Sequence, residues 1–124
     1  MKVILADDSA LILERLQALV GLSKQAEIVA LCDNGTKALN AIRDLKPELA
    51  ILDLQMPGLT GLEVLAAIRK SDKKVKIIIL TFFSSDYHKK MALDAGADYF
   101  FSKVDEFEKI SQVLSEMLIF KKRN

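Results

Sequence analysis

Five residues carry the chemistry of this chain: Asp7, Asp8, Asp53, Thr81 and Lys103. Asp7 and Asp8 follow the apolar run KVILA, Asp53 closes LAILD, Thr81 closes VKIIILT, and Lys103 follows DYFFS. Each stands where a short apolar segment ends. Carboxylates gathered at ~4 Å would repel by roughly 4 kcal/mol per pair at an effective dielectric of ~20. One lysine does not offset that, so bound protons or a divalent cation must. An all-oxygen donor set selects a hard ion such as Mg²⁺, and no His or Cys stands beside Asp7, Asp8 and Asp53 to make a zinc site. Metal, ammonium and hydroxyl together suit a phosphoryl group, whose oxygens need neutralisation and hydrogen bonds. Neither G-x-G-x-x-G nor G-x-x-x-x-G-K-[ST] occurs, which argues against nucleotide binding. A covalent acceptor remains, and a carboxylate can serve as one.

The elements that must position these residues alternate along the whole chain. Apolar runs at 2–6, 27–31, 49–53, 75–81 and 98–101 lack in/out alternation, the pattern of strands covered on both faces. Helical periodicity follows each, near 9–20, 35–45, 61–70, 86–95 and 105–118. Gly21 and Gly96 stand at C-terminal cap positions and Pro47 at a helix stop. Thr60 with Glu63, and Asp105 with Glu108, offer capping boxes. This alternation predicts an α/β fold: a doubly wound (βα)5, flavodoxin-like parallel sheet of strand order 2-1-3-4-5 with helices on both faces. Ligands of such sheets bind beyond the carboxyl ends of the strands, where all five residues fall. Asp53 ends the central strand and is the best acceptor. The adjacent Asp7 and Asp8 are better placed to hold the metal.

The 124 residues suit one domain, 1–124, with 119–124 as a charged tail. Lys+Arg number 18 and Asp+Glu 17, a net charge of +1 that excludes a strongly basic nucleic-acid or membrane footprint. A hydrophobic content of 51% argues against disorder. The lone Cys32 makes no internal disulfide, residues 1–20 do not read as a signal peptide, and no apolar run nears the ~18 residues of a membrane span. A soluble, cytoplasmic protein is expected.

The stretches VILADDS, DNG-x-x-AL, AILDLQMPGLTGLEVL, IIILT and AGADYFFSK, in this order and spacing, resemble the receiver domain of two-component response regulators over nearly the whole chain. The resemblance implies a stand-alone phosphorelay receiver, not a turnover enzyme. Its Asp53 would accept a phosphoryl group from a histidine kinase or phosphotransfer protein. Asp7, Asp8, Asp53 and the backbone carbonyl of Gln55 would surround Mg²⁺, with Lys103 and Thr81 on the phosphoryl oxygens. Phe100 occupies the switch aromatic position, turning inward when Thr81 moves. The surface of the fourth helix, fifth strand and fifth helix would then change, offering Tyr87, His88, Met91 and Tyr99 to a downstream target protein. The expected assembly is a monomer or weak dimer.

Two positions depart from that family. Val104 replaces the usual proline after Lys103, which removes the reason for a cis peptide there. Phe82 and Phe83 follow Thr81 where a small residue is usual; with Gln55, they are expected to tune access to the phosphoryl group and its lifetime. An aspartate-nucleophile phosphohydrolase of the haloacid dehalogenase type would carry D-x-D-x-[TV] after the first strand, and ADDSA does not fit. A receiver-like module that is never phosphorylated would have no reason to keep all five residues. Singly, Thr81 reads as a strand-end cap and Lys103 as a solvated lysine; only their joint placement gives them roles.

Overall fold

The computed structural model describes residues 1–123. Strands β1 (Lys2–Ala6), β2 (Glu27–Cys32), β3 (Leu49–Asp53), β4 (Lys76–Thr81) and β5 (Tyr99–Ser102) form one parallel sheet ordered β2-β1-β3-β4-β5. Helices α1 (Ala10–Gly21), α2 (Gly35–Leu45), α3 (Gly61–Arg69), α4 (Asp86–Asp94) and α5 (Lys109–Arg123) connect and cover it. The expected doubly wound order is the observed one. Every residue of β3 is buried, as are five of the six in β4.

Alternate strand residues feed two cores. Ile4, Ala50, Leu52, Ile77 and Ile79 pack with α2, α3 and α4 through Ala38, Ile42, Val64, Leu65, Ile68 and Ala92. On the other side, Val3, Leu5, Ile51, Ile78 and Leu80 meet α1 and α5 through Leu16, Val20, Ile110 and Leu114. Each fully buried aliphatic side chain contributes about 1.5–3 kcal/mol against exposure. The register sets the functional edge: Leu52 lies opposite Ala6, Leu80 opposite Asp53, and Ser102 opposite Thr81. The residues that end or follow these strands are therefore brought side by side.

Several boundaries depart from expectation. Gly21 is the last residue of α1, and right-handed Leu22 caps it. After α2 the left-handed residue is Lys46, at φ 47°, immediately before Pro47. Gly96, at φ +110°, does follow α4, and the Thr60–Glu63 capping box forms with bonds of 3.0 and 3.2 Å. Helix α5 starts at Lys109, not 105, so Asp105 and Glu108 make no capping box. Residues 103–108 instead form tight turns that send Phe107 (6% exposed) into the α1/α5 core, under the Arg15 guanidinium at 4.2 Å. Val75 precedes β4. Asp98 precedes β5, its carboxylate accepting from the Ile77 amide and Arg69. The charged tail continues α5 through Arg123, and Asn124 lies outside the described residues. The described chain has no cis peptide bond, Lys103–Val104 included.

Candidate functional site

Among the described residues, the buried polar or charged side chains are Asp7, Asp53, Thr81, Ser102 and Lys103. All five come from the C-terminal ends of β1, β3, β4 and β5. Asp8, one residue beyond Asp7, is exposed at the mouth. Asp7, Asp8 and Asp53 each bring a carboxylate oxygen within 4.8 Å of the others. Lys103 Nζ lies 2.6 Å from Asp7 Oδ2 and 3.1 Å from Asp53 Oδ2. The Ser9 amide donates to Asp7 Oδ1 at 2.9 Å, and the Gln55 amide to Asp53 Oδ1 at 3.3 Å. Thus Gln55, whose side chain is exposed, brings its backbone to the acceptor.

The electrostatics follow from burial. Loss of water, then repulsion from Asp7, pushes the Asp53 carboxyl up to about 6, although Lys103 and the Gln55 amide pull it down. One ammonium faces three carboxylates. Asp7 Oδ2 has no hydrogen-bond partner despite its close ion pair with Lys103. That oxygen, charge-paired with one ammonium but not aligned in a hydrogen bond, keeps lone pairs for a further ligand, and the oxygen donor set suits a hard divalent cation. The residues present therefore fit Mg²⁺.

The loop after Asp53 is held by two close approaches. The Gly35 amide donates to the Pro57 carbonyl at 3.0 Å, and the Gly61 amide to the Leu54 carbonyl at 2.9 Å. A Cβ on Gly35 would fall 1.8 Å from the Leu59 oxygen; one on Gly61 would fall 2.3 Å from the Asp53 oxygen. Gly58, at φ +76°, turns the chain between them.

Around the mouth, the Phe82 ring centroid lies 4.9 Å from Lys103 Nζ while the ring stays 60% exposed. Thr81 Oγ1 accepts from the Phe83 amide at 2.9 Å. Phe83 meets His88 at 5.9 Å between centroids, and His88 meets Tyr87 at 5.7 Å. Tyr87 and Met91 are exposed on α4, whereas His88 is half-buried, with Nδ1 2.6 Å from Ser85 Oγ. Tyr99 is half-buried on the α1/α5 side of the sheet, 5.7 Å from Phe101, so it is separated from the α4 residues. Phe100 is already inside, 5% exposed in the core beneath α4. Sequence reasoning gave no role to Gly61, to the Ser102 hydroxyl or to Glu106. Glycine directly after the Thr60 cap was the available signal for Gly61. Nothing local marks Glu106, whose partners are fixed by a turn the periodicity did not show.

A family model described as "Response regulator receiver domain" matches residues 3–115. A nitrate/nitrite response regulator protein homolog of Haemophilus influenzae is 35% identical over 86% of this chain and 51% of its own. A protein-glutamate methylesterase/protein-glutamine glutaminase of Methanospirillum hungatei is 32% identical over 94% of this chain and 35% of its own. The chain thus spans about half, or less, of the length of these curated relatives. Among solved structures, the receiver domain of the putative response regulator NarL from Mycobacterium tuberculosis superposes with a TM-score of 0.86. It is 28% identical, with 94% of each chain covered. A LuxR-family DNA-binding response regulator from Staphylococcus aureus gives 0.85 and 34% identity, covering 93% of this chain and 96% of that one.

Proposed function

This chain belongs to the response regulator receiver domain family of two-component signalling, and from that premise we propose that Asp53 is its phosphoryl acceptor. One observation carries the reading: a buried carboxylate at the end of the central strand, perturbed to about 6, touches the buried lysine and adjoins two further carboxylates. Asp7, Asp8 and Asp53, with the Gln55 carbonyl, would hold Mg²⁺, which would supply charge neutralisation at the phosphoryl oxygens. Asp53 attacks the phosphorus of a phosphohistidine on a kinase or phosphotransfer protein. The Asp53 O–P bond forms and the P–N bond breaks, its electron pair returning to the ring nitrogen; the ring, already protonated on its other nitrogen, leaves as neutral imidazole. Lys103, freed from part of its pairing with Asp53, follows the new negative charge.

Thr81 supports the signalling half of the reading. A shift of its hydroxyl toward the phosphoryl group would pull on or release the Phe83 amide bonded to it, and the Phe83–His88–Tyr87 rings pass that change into the start of α4. The outgoing surface is centred on α4, with Tyr87 and Met91 exposed and His88 half-buried; a target protein reads it, while Tyr99 lies across the sheet on the α1/α5 side. Phe100 is already buried while Thr81 still accepts from the Phe83 amide, so an inward turn of this ring is not the step that follows movement of Thr81. No described helix is long and apolar enough to cross a membrane, and a cytoplasmic site of action, as a monomer or weak dimer, fits the reading.

The test is incubation with acetyl phosphate, with and without Mg²⁺, followed by intact mass and peptide mapping. The expected product gains one phosphoryl group on the peptide holding Asp53, only with the metal present. Labelling without metal dependence, or on another peptide, overturns the assignment.

Phe82 shields the same site. Its ring beside Lys103 narrows the approach of water to an acyl phosphate. Phe82→Ala is expected to shorten the phosphorylated lifetime several-fold, followed by loss of the phosphoryl mass after donor removal. An unchanged or longer lifetime would show that the ring does not control water.

A further inference from the structure

Lys103 is useful only if its ammonium stays between Asp7 and Asp53, yet it sits at the start of a turn, not inside a strand or helix. Packing anchors the far end of the turn, at Phe107, but not the residue next to the lysine, since Val104 is 77% exposed. Polar bonds fasten it instead. The Lys103 amide donates to the Thr81 carbonyl at 2.9 Å, and the Val104 amide to Ser102 Oγ at 3.1 Å. The Ser102 amide donates to Glu106 Oε1 at 3.1 Å, while the Glu106 amide returns to the Ser102 carbonyl at 3.1 Å. Glu106 Oε2 is held in turn by Lys109 Nζ at 2.7 Å.

We propose that Glu106 is a positioning residue for Lys103: its carboxylate closes the 102–106 turn by capping the Ser102 amide. Ser102 is buried, so without that acceptor its N–H is left unpaired, which costs more than the bond itself. The turn opens, and the lysine stem beginning one residue later loses its fixed origin. Lys109 only steadies the half-buried carboxylate, because an exposed ion pair is worth little. The inference rests on the reading of Asp53 as acceptor and adds to it the residue that aims the cation.

The test is a double-mutant cycle with acetyl phosphate at saturating Mg²⁺, rates read by intact mass, beside calorimetric titration of Mg²⁺ alone. Misplacing a charged group by about 1 Å can cost up to ~100-fold, so Glu106→Ala is expected to slow phosphorylation about tenfold. Glu106→Gln keeps an acceptor for Ser102 and stays within about twofold of the native rate, whereas Glu106→Asp keeps the charge, falls short of the amide and is slow. In a Lys103→Met background, Glu106→Ala adds no further loss. Both Lys103→Met and Glu106→Ala tighten Mg²⁺ binding, because the cation competing for Asp7 and Asp53 is removed or displaced. An equal loss from Glu106→Ala in both backgrounds overturns the proposal, as does a slow Glu106→Gln, or Mg²⁺ affinity that moves only in Lys103→Met. If Glu106→Ala does not fold, Glu106→Asp takes its place in the cycle. Should the native chain accept no phosphoryl group, the acceptor assignment fails, and the Mg²⁺ titrations still decide whether Glu106 and Lys103 are coupled.

Discussion

Asp53→Asn is expected to abolish Mg²⁺-dependent phosphorylation and, in the same protein, to raise thermal stability at neutral pH. Both effects follow from one carboxylate placed where it is poorly solvated. In the unfolded chain it releases its proton near its ordinary 3.8; in the folded protein burial and Asp7 hold the proton until about 6. Between those values the folded state binds the extra proton, so stability falls as pH rises through the window, and the whole cost is present above it. The shift corresponds to on the order of 3 kcal/mol, or roughly 9–15 °C for a chain of this size. Asparagine carries no charge and escapes that cost. Unfolding curves without divalent metal are therefore expected to separate at pH 8, with the variant the more stable, and to converge near pH 4. A variant no more stable than the native chain at pH 8 would mean that Lys103 already neutralises the site. Adding Mg²⁺ at about 100 times its dissociation constant stabilises the native chain by about 2.7 kcal/mol, and asparagine, a poorer ligand, gains less.

Gly61→Ala is expected to have the largest effect of a single methyl group near the site. The new Cβ would fall 2.3 Å from the Asp53 carbonyl oxygen and 3.0 Å from the Leu54 Cα, backbone atoms that cannot swing away. Relief requires α3 to withdraw or the end of β3 to shift, against a capping box at Thr60 and a buried α3 face. We expect a loss of roughly 3 kcal/mol or more, at the upper end of overpacking effects, together with slow phosphorylation because the displaced carbonyl belongs to the acceptor itself. Gly35→Ala, aimed at the Leu59 oxygen from the other side of the loop, should be as damaging to stability. Gly21→Ala is the control: it ends α1 with nothing within 4 Å, so it should be neutral or stabilising by up to about 1 kcal/mol. Denaturant midpoints of the three variants give the ranking, and a Gly61→Ala protein as stable as Gly21→Ala would refute the close approach.

The strand order, both helix layers and the grouping of Asp7, Asp8, Asp53, Thr81 and Lys103 were legible in the sequence. They depend on rules that act locally or through topology. Apolar runs read as strands of a covered sheet, though at its edge β2 is only half-buried, with Leu31 49% exposed; intervening helices force parallel crossovers, and residues ending parallel strands share an edge. The helix start at Thr60 is likewise local, its side chain accepting an amide three residues on; Ser9, Asn34 and Ser85 cap in the same way, though they were not singled out from the sequence. Tertiary structure decided what depends on distant atoms. Helix α5 begins late because Phe107 must reach the α1/α5 core, so a locally plausible cap at Asp105 is overruled. Gly35 and Gly61 are compelled by carbonyls 24 and 8 residues away in the chain, distances no periodicity encodes. Asp53 takes its raised proton affinity from burial and from Asp7, and Glu106 reaches the Ser102 amide only because the 102–106 turn brings it back. The sequence thus determined which groups meet, because patterning fixes topology; only packing decided how closely, and charge and hydrogen-bond energies depend on that closeness.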